Sequence, residues 1–470
     1  MTREQDTHGT QLLFRGGAFG ALAPFAVFLA GVAWLGLSGA PDERGFWPIL
    51  LAGLAVGLLM SRDRNAYAEA VLAGMSQRIV MLMVMAWLLA GVLGSLIGGS
   101  GFIEGLVALA GRGGVTGGGF VALAFGVCAV VSTSTGTSLG TLILCAPLIF
   151  PAGGLLGADP TFLIGAILAG ATFGDNISPV SDTTIASAST QEADIGGVVR
   201  SRVKYALPAG IAAALLFGLL GGGEAGSEAG AVESGTTGLG ALWMALAPAL
   251  VIAMLLARRH LVESLVAGGA FAAVLGVGLG LVRPDELMSI DAESFIARGL
   301  ILEGMERGVG ISVFTVLLMG LLGGLEASGI LDRVIARARR GATTARRAEW
   351  SIFAAVTAAV VLTTHSVVAI LTVGRLARET GGAAGVSAYR RANILDITVC
   401  TYPFLLPFFI PTILAGALTA SGEEFGVARV SALDAGMANI HSWALLAVIL
   451  LALATGWGRG EGSNAPTEAP

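Results

Sequence analysis

Apolar segments long enough to cross a lipid bilayer recur along most of the chain. A helix needs about 20 apolar residues to cross the hydrocarbon core, which is about 30 Å thick. Only 13% of the 470 residues are charged, against about 25% in soluble domains. We therefore predict an all-α polytopic membrane protein with about ten transmembrane crossings. The ten segments, two of them interrupted, are residues 17–39, 46–60, 79–98, 161–190, 205–222, 239–257, 261–281, 310–328, 391–420 and 437–457.

Two further apolar stretches, residues 118–150 and 350–376, are each divided near the middle by a polar cluster. The clusters are Ser132–Ser138 and Thr363–Ser366. If the first helix, Gly118–Val131, ends at its cluster, it is about 21 Å long at about 1.5 Å per residue and cannot cross the bilayer. This predicts two re-entrant helical hairpins. Two short full crossings per stretch would give the same topology.

Lys and Arg residues concentrate in the cytoplasmic loops of membrane proteins. When the N-terminus of this chain is placed in the cytoplasm, most of its Lys and Arg residues also fall on the cytoplasmic side. This predicts a multi-pass protein of a bacterial plasma membrane with both termini cytoplasmic, a tail at residues 1–16 and a disordered tail at 458–470. The lipid bilayer surrounds it, and the net charge of −5 without a basic domain argues against nucleic acid as a partner. The outer side keeps only six of the 27 Lys and Arg residues: Arg44, Arg112, Arg283, Arg298, Arg307 and Arg429.

Short stretches of the first half recur in the second half. Ser100–Glu104 matches Ser328–Asp332 at a sequence offset of 228, and Ala129–Thr133 matches Ala359–Thr363 at an offset of 230. Each half has five crossings, and because this number is odd, the second half starts on the opposite side of the membrane from the first. Such an inverted repeat is typical of secondary transporters, whose binding site lies near the membrane midplane. Chance similarity between glycine-rich helices is the alternative. The predicted units are a first repeat at 17–222 with hairpin 118–150 and broken helix 161–190, an acidic glycine-rich linker at 223–238, and a second repeat at 239–457 with hairpin 350–376 and broken helix 391–420.

The segment Ala171–Thr184 concentrates oxygen-bearing side chains inside an apolar region. Gly174 and Pro179 interrupt the helix there. Hard cations prefer oxygen ligands. A charged carboxylate costs free energy in the membrane, so it favours binding either a proton or a metal ion that neutralises it. The alternative is that the two aspartates cap a half-helix. The candidates are Asp175, Asn176, Ser178, Ser181, Asp182 and Thr183.

The two hairpin clusters and the second broken helix supply further candidates. Hydroxyls at the first cluster would complete a cation shell, although small residues also permit close helix packing. His365 titrates near neutral pH, but a lone histidine is also a common structural group. Asp396 has apolar neighbours, and its competing partner is Arg390 or Arg391. The candidates are Ser134, Thr135, Thr137, Thr364, His365, Asn393 and Asp396, and the candidate Na⁺ ligands are Asp175, Asp182, Ser134 and Thr135.

The segment Gly174–Thr184 resembles the NhaC family of Na⁺/H⁺ antiporters, part of the larger ion transporter superfamily. The family pattern is close to Gly-Asp-Lys-x-Ser-Pro-Leu-Ser-Asp-Thr-Thr, and weaker resemblance covers about residues 60–455, including Arg391–Asp396. The resemblance implies a scaffold domain, a mobile transport domain that holds both hairpins, elevator-like alternating access and a homodimer. The chain departs from the family at Asn176, where the family has Lys, and at His365.

The leading hypothesis is a secondary transporter that exchanges cytoplasmic Na⁺ or Li⁺ for protons, with Asp175 as the shared carboxylate. The alternative is a Na⁺- or H⁺-coupled carrier of a small organic anion or amino acid, of the malate/lactate type, with the anion held by half-helix N-termini. We expect no Arg or Lys deep in a span, which favours a cation. An enzyme is not predicted, because the sequence has no metal spacing, nucleophile motif or phosphate loop, and no cofactor is predicted beyond the transported ions.

Overall fold

The computed structural model describes residues 11–37, 43–223, 238–257, 259–291, 296–331, 333 and 344–459. Three predicted segments fall largely outside these residues: the first ten residues of the N-terminal tail, residues 224–237 of the acidic linker, and the C-terminal tail from residue 460.

The first half is helical throughout its described part. Helix α1 contains an internal proline, Pro24, and α7 contains Pro147 and Pro151. A 3₁₀ turn at Glu43–Gly45 precedes α2. The helices are α1 (Ala18–Leu37), α2 (Phe46–Met60), α3 (Arg64–Met75), α4 (Arg78–Gly98), α5 (Phe102–Arg112), α6 (Gly117–Thr135), α7 (Ser138–Leu155), α8 (Pro160–Ile177), α9 (Asp182–Thr190) and α10 (Ile195–Leu220).

The second half adds eleven helices and a small hairpin to the described structure. The hairpin strands are β1 (Ser289–Asp291) and β2 (Ile296–Arg298), antiparallel with Ile290 opposite Ala297. Further 3₁₀ turns lie at Leu242–Ala245, Tyr402–Phe404 and Thr419–Phe425. The helices are α11 (Gly238–Ala241), α12 (Leu246–Leu256), α13 (Leu261–Gly278), α14 (Pro284–Leu287), α15 (Leu300–Ala327), α16 (Ala345–Thr363), α17 (Ser366–Ala383), α18 (Ala388–Val399), α19 (Ile410–Leu418), α20 (Ala432–Met437) and α21 (Ile440–Thr455).

Eight helical segments of the described chain are long and apolar enough to cross a membrane. Shorter apolar helices at Phe46–Met60, Leu242–Leu255 and Ile440–Thr455 add to them. The prediction of a helical polytopic membrane protein is therefore confirmed. The number of crossings stays a prediction.

The hairpin helices are longer than the sequence suggested. Helix α6 does not end near Val131 but continues to Thr135, so α6 and α7 have 19 and 18 residues and are each about 28 Å long. The continuation has a local cause, since Ser134 Oγ donates to the Val130 carbonyl at 2.8 Å and Thr135 Oγ1 to the Val131 carbonyl at 2.9 Å. Such hydroxyls satisfy the helix instead of breaking it. Each hairpin is therefore long enough for two full crossings as well as for a re-entrant loop, and the re-entrant arrangement stays a prediction.

Helix boundaries recur between the two halves at one constant offset in sequence number, which is 228. Helices α16, α17, α18 and α19 begin at this offset from α6, α7, α8 and α9, and three of the four pairs also end at it. The left-handed residue between the hairpin helices follows the same offset, with Gly136 at φ 71° and Thr364 at φ 49°. The boundaries of the hairpin helices thus recur at an offset of 228, whereas the Ala129–Thr133 sequence match has an offset of 230, and the internal repeat stays a prediction.

Close helix packing brings the first hairpin against α8. A Cβ on Gly170 would lie 2.3 Å from the Phe125 carbonyl oxygen, and one on Gly174 would lie 2.4 Å from Ser132 Cβ. Ser132 Oγ also donates to the Ala171 carbonyl at 2.6 Å. Because small residues let the two backbones approach, the end of α6 lies beside the end of α8.

A buried ion cluster joins the second hairpin to the segment that follows α21. The fully buried Glu349 accepts from Arg390 Nε at 3.1 Å and from Arg459 Nη2 at 2.7 Å. Arg390 also donates to the Tyr205 hydroxyl at 2.6 Å. These contacts link α16, α18 and α10 with the segment that follows α21.

Replacing Glu349 by Gln is expected to lower the stability of the folded protein strongly. The change leaves Arg390 as a buried charge without its carboxylate, which costs about 3–5 kcal/mol. The measurement is the melting temperature of the detergent-solubilised protein by fluorescence size exclusion. The control is Glu379→Gln, at the exposed Arg375–Glu379 pair, where only a small change is expected. Equal melting temperatures for the two variants would contradict the prediction.

Candidate ion-binding site

A cavity of about 530 Å³ lies where the two hairpin tips meet the two helix breaks. Its wall contains the first hairpin tip from Thr135 to Gly140 and the second tip from Thr364 to Val367. Pro403 and Pro411, which flank the second break, also line it. The α8–α9 break, α4 and the loop between α12 and α13 also contribute to the wall. The cavity therefore combines elements from both halves of the chain.

Asp175 lies on this cavity at the end of α8 and is 8% exposed. Ser138 Oγ, at the start of α7, donates to Asp175 Oδ2 at 2.8 Å, and Ser181 Oγ donates to Oδ1 at 2.6 Å. Thr183 Oγ1 lies 3.0 Å from Ser181 Oγ. A carboxylate has about four acceptor positions, so two hydrogen bonds leave room for a cation or a proton.

Several other candidates line the same cavity. Asp182, the first residue of α9, is exposed to it, and Thr183 follows. Thr137 caps α7 by accepting from the Gly140 amide at 3.2 Å. The described residues contain no cluster of three or more His, Cys, Asp or Glu side chains that would hold a metal. A cation here would be held by carboxylate, hydroxyl and carbonyl oxygens, which suits Na⁺.

Asp396 lies behind the cavity wall and is fully buried. Its Oδ2 pairs with Arg202 Nη1 at 2.9 Å and accepts from Ser187 Oγ at 3.2 Å, and its Oδ1 accepts from Asn176 Nδ2 at 3.1 Å. The expected competing partners lie elsewhere. Arg390 pairs with Glu349, and Arg391 Nε donates to Gln191 Oε1 at 2.9 Å.

Arg202 is a residue of the candidate site that sequence reasoning missed. The expectation that no Arg or Lys lies deep in a span is wrong, because Arg202 is fully buried in α10. Its Nη1 donates to the Asn176 carbonyl at 2.6 Å and to Thr184 Oγ1 at 2.8 Å, and its Nε donates to Asn393 Oδ1 at 3.1 Å. One guanidinium thus joins both sides of the α8–α9 break to α18.

A local signal could have revealed Arg202. Asp194 caps α10 by accepting from the Gly197 amide at 2.6 Å, so the helix begins at Ile195 and not near residue 205. Recognising Asp194 as an N-cap would have placed Arg202 inside the helix. Asp396, a carboxylate predicted to lie within a membrane helix, needs a basic partner there, and Arg202 would then have been a candidate for it.

The candidates separate into three groups. Ser134 is exposed and bonded to its own helix, and Ser178 Oγ accepts from the Val180 amide at 3.3 Å without lining the cavity. Ser138, which was not among the candidates, contacts Asp175 directly. The cavity group is Asp175, Asp182, Thr183, Thr135, Thr137, Thr364 and His365, with Ser181 beside Asp175, and the buried group is Asn176, Asn393 and Asp396.

The helices and the cavity define a polytopic membrane protein with a cavity between paired hairpins and broken helices. Residues 12–222 match the family model described as the Na⁺/H⁺ antiporter family. The chain is also similar to the malate-2H⁺/Na⁺-lactate antiporter of Bacillus subtilis, with 27% identity over 63% of this chain and 65% of the relative.

Two relatives named Na⁺/H⁺ antiporter NhaC also match. The protein of Alkalihalophilus pseudofirmus is 26% identical over 44% of this chain and 48% of the relative, and that of Bacillus subtilis is 29% identical over 30% and 33%. The matched part therefore spans between a third and two thirds of the relatives' lengths. These matches confirm that the chain is related to the NhaC antiporters, as its Gly174–Thr184 motif indicated. All three relatives are named as antiporters.

Proposed function

We propose that the protein is a Na⁺/H⁺ antiporter that exchanges cytoplasmic Na⁺ or Li⁺ for protons. The observation that carries this proposal is Asp175, a nearly buried carboxylate on the cavity, oriented by Ser138 and Ser181. A carboxylate that binds either a proton or Na⁺, and meets each side of the membrane in turn, couples the two fluxes. Asp182 and the hairpin hydroxyls would complete the cation shell.

Elevator-like alternating access is part of the same proposal. The common sequence offset between corresponding helices supports an inverted repeat with two re-entrant hairpins. In this arrangement α6–α10 and α16–α21 form the mobile unit, and α1–α5 with α11–α15 form the scaffold. A homodimer and cytoplasmic termini complete the arrangement.

The test of the proposed function uses everted membrane vesicles with a respiration-generated pH gradient. A fluorescent pH probe reports the gradient while Na⁺, Li⁺ or K⁺ is added. We expect Na⁺ or Li⁺ to dissipate the gradient, because the protons accumulated inside the vesicles leave in exchange for the entering cation. The absence of a response to any of the three cations would overturn the proposal.

The inverted repeat predicts that equivalent positions label from opposite sides. Thr116 and Thr344 are exposed, occupy equivalent positions in the two halves and precede α6 and α16. The three native cysteines are buried, so background labelling is expected to be low. In intact cells an impermeant maleimide is expected to label Thr116→Cys and not Thr344→Cys, and everted vesicles are expected to reverse the pattern. Labelling of both variants from one side would exclude the inverted arrangement.

A coupled carrier of a small organic anion is the second candidate function. The cavity volume of about 530 Å³ favours it, because this volume lies within the range of about 300–1,000 Å³ of small-molecule sites and exceeds what one cation requires. Uptake of labelled lactate or malate by proteoliposomes, driven by Na⁺ or proton gradients, separates it from simple cation exchange.

A further inference from the structure

Another cavity, of about 280 Å³, lies where α1 begins and where α2 and α15 end. Its described lining consists of residues 11–14 and 17 before α1, Arg62 after α2, and Ser328 and Arg333 after α15. We propose that this basic cavity binds the phosphate group of an anionic phospholipid. It shares no described lining residue with the cavity at Asp175, so the proposal does not depend on the proposed transport function.

The basic cavity lies at the boundary between lipid and water. Helices α1, α2 and α15 are apolar, and hydrogen bonds hold their ends at one level. The Leu12 amide donates to the Ala327 carbonyl at the end of α15 at 2.9 Å, and the Arg15 amide donates to the Met60 carbonyl at the end of α2 at 2.7 Å. Apolar helices of this kind end where the hydrocarbon core ends. In the proposed topology this boundary is the cytoplasmic one.

The segment before α1 forms a fixed wall of the basic cavity. Leu12 and Phe14 are buried, and the Phe14 ring contacts the Tyr67 ring edge to face, with the ring centroids 6.0 Å apart. Together with the hydrogen bonds to α2 and α15, these contacts hold the segment in place. The cavity therefore exists without a ligand, which lowers the entropy cost of binding one.

The described lining of the basic cavity carries two arginines and no acidic side chain. Arg62 is exposed, and its guanidinium has no hydrogen bond or ion pair within the described residues. Arg333 donates from Nη2 to the Ser328 carbonyl at 3.0 Å and from Nε to the Gly329 carbonyl at 3.3 Å. These bonds fix the second guanidinium at the cavity. A guanidinium matches the geometry of phosphate oxygens better than an ammonium group does.

Acidic residues close in sequence do not line the basic cavity. Asp63 caps α3 by accepting from the Ala66 amide at 3.0 Å, and Glu326 lies in the last turn of α15. The sequence that follows α15 is strongly basic, since residues 332–347 contain six Arg and one Asp. Basic pockets at the cytoplasmic ends of membrane helices are typical of sites for anionic lipid headgroups.

The apolar surroundings of the basic cavity favour a phospholipid over free phosphate. Leu13, which lines the cavity, is 65% exposed, and Phe19, in the first turn of α1, is 88% exposed. Gly17 lines the cavity directly before α1, whose first amides have no acceptor within the helix and carry partial positive charge. A phospholipid can place its phosphate at the arginines and its acyl chains on the apolar surface. Inorganic phosphate uses only the first of these contacts.

The test titrates purified, delipidated protein in detergent with phosphatidylglycerol and measures the bound lipid by native mass spectrometry. Phosphatidylcholine, which has no net charge, and inorganic phosphate are the comparison ligands. We expect phosphatidylglycerol to bind at least about tenfold more tightly than phosphatidylcholine. Arg62→Gln is expected to weaken phosphatidylglycerol binding about fivefold, because one arginine no longer contacts the phosphate. Arg62→Lys keeps the charge and is expected to retain most of the binding.

Arg64→Gln is the matched control for Arg62→Gln. It removes the same charge two residues away, and Arg64 is exposed but does not line the basic cavity. We expect this variant to bind phosphatidylglycerol nearly as wild type. If Arg62→Gln does not fold, hydrogen exchange of wild type decides, because phosphatidylglycerol must slow exchange of the amides at residues 16–19 and phosphatidylcholine must not.

Three results contradict the proposal. Equal affinity of wild type for the two lipids, or equal weakening by Arg62→Gln and Arg64→Gln, excludes a specific phosphate site. Displacement of phosphatidylglycerol by an equal concentration of inorganic phosphate assigns the cavity to a soluble phosphate instead of a lipid. The binding measurement uses no ion gradient, so its failure is distinct from a failure of the proposed antiport in vesicles.

Discussion

Asp175→Asn is expected to abolish Na⁺-dependent dissipation of the pH gradient in everted vesicles. The amide has nearly the shape of the carboxylate and can still bond Ser138 and Ser181, so the α8–α9 break is expected to keep its structure. An amide cannot take up a proton and neutralises no cation. Without a group that holds the two ions alternately, the coupling between their fluxes is lost.

The matched control for this variant lies on the same helix. Asp159 begins α8 and accepts from the Thr161 amide at 2.9 Å and the Phe162 amide at 3.0 Å. Asn is as good an N-cap as Asp, so Asp159→Asn is expected to retain exchange close to wild type. Both variants are compared at equal membrane content. Substantial Na⁺-dependent exchange by Asp175→Asn would remove Asp175 from the role of shared carboxylate.

The comparison of sequence and structure shows which contacts local patterns can predict. Asp175 and Ser181 are six residues apart in one broken helix, so the motif alone suggested that they act together. Ser138 is 37 residues away on another helix, and its contact with Asp175 depends on how the hairpin packs. Apolar length predicted the helices themselves, because the bilayer imposes that length.

Two errors of the sequence analysis have physical causes. The polar cluster after Val131 was interpreted as a helix end, but its hydroxyls bond carbonyls one turn earlier and the helix continues. The predicted span at residues 205–222 left Arg202 outside the membrane, on the cytoplasmic side where basic residues concentrate. In the structure the Asp396 carboxylate and the Asn176 carbonyl replace water around its guanidinium, which only the three-dimensional arrangement reveals.

Removing either member of the Arg202–Asp396 pair is expected to destabilise the protein strongly. Both side chains are fully buried and 2.9 Å apart, and loss of one leaves the other as an uncompensated charge. Such losses cost about 3–5 kcal/mol. Arg202→Gln is expected to be the more damaging to exchange, because the guanidinium also bonds Asn176 and Thr184 on either side of the break. The melting temperature and the Na⁺-dependent exchange rate are measured for each single variant.

The double variant Arg202→Gln/Asp396→Asn separates a positioning role from an ion-binding role. Two neutral amides can bond each other without a buried charge, so we expect the double variant to regain about 0.5–3 kcal/mol relative to the sum of the single variants. If Asp396 only positions α8 and α9, exchange returns together with stability, and the apparent Na⁺ affinity stays near that of wild type. If the double variant is stable but does not exchange ions, the carboxylate of Asp396 itself takes part in ion transfer, and the assignment of Asp175 as the sole shared carboxylate is wrong.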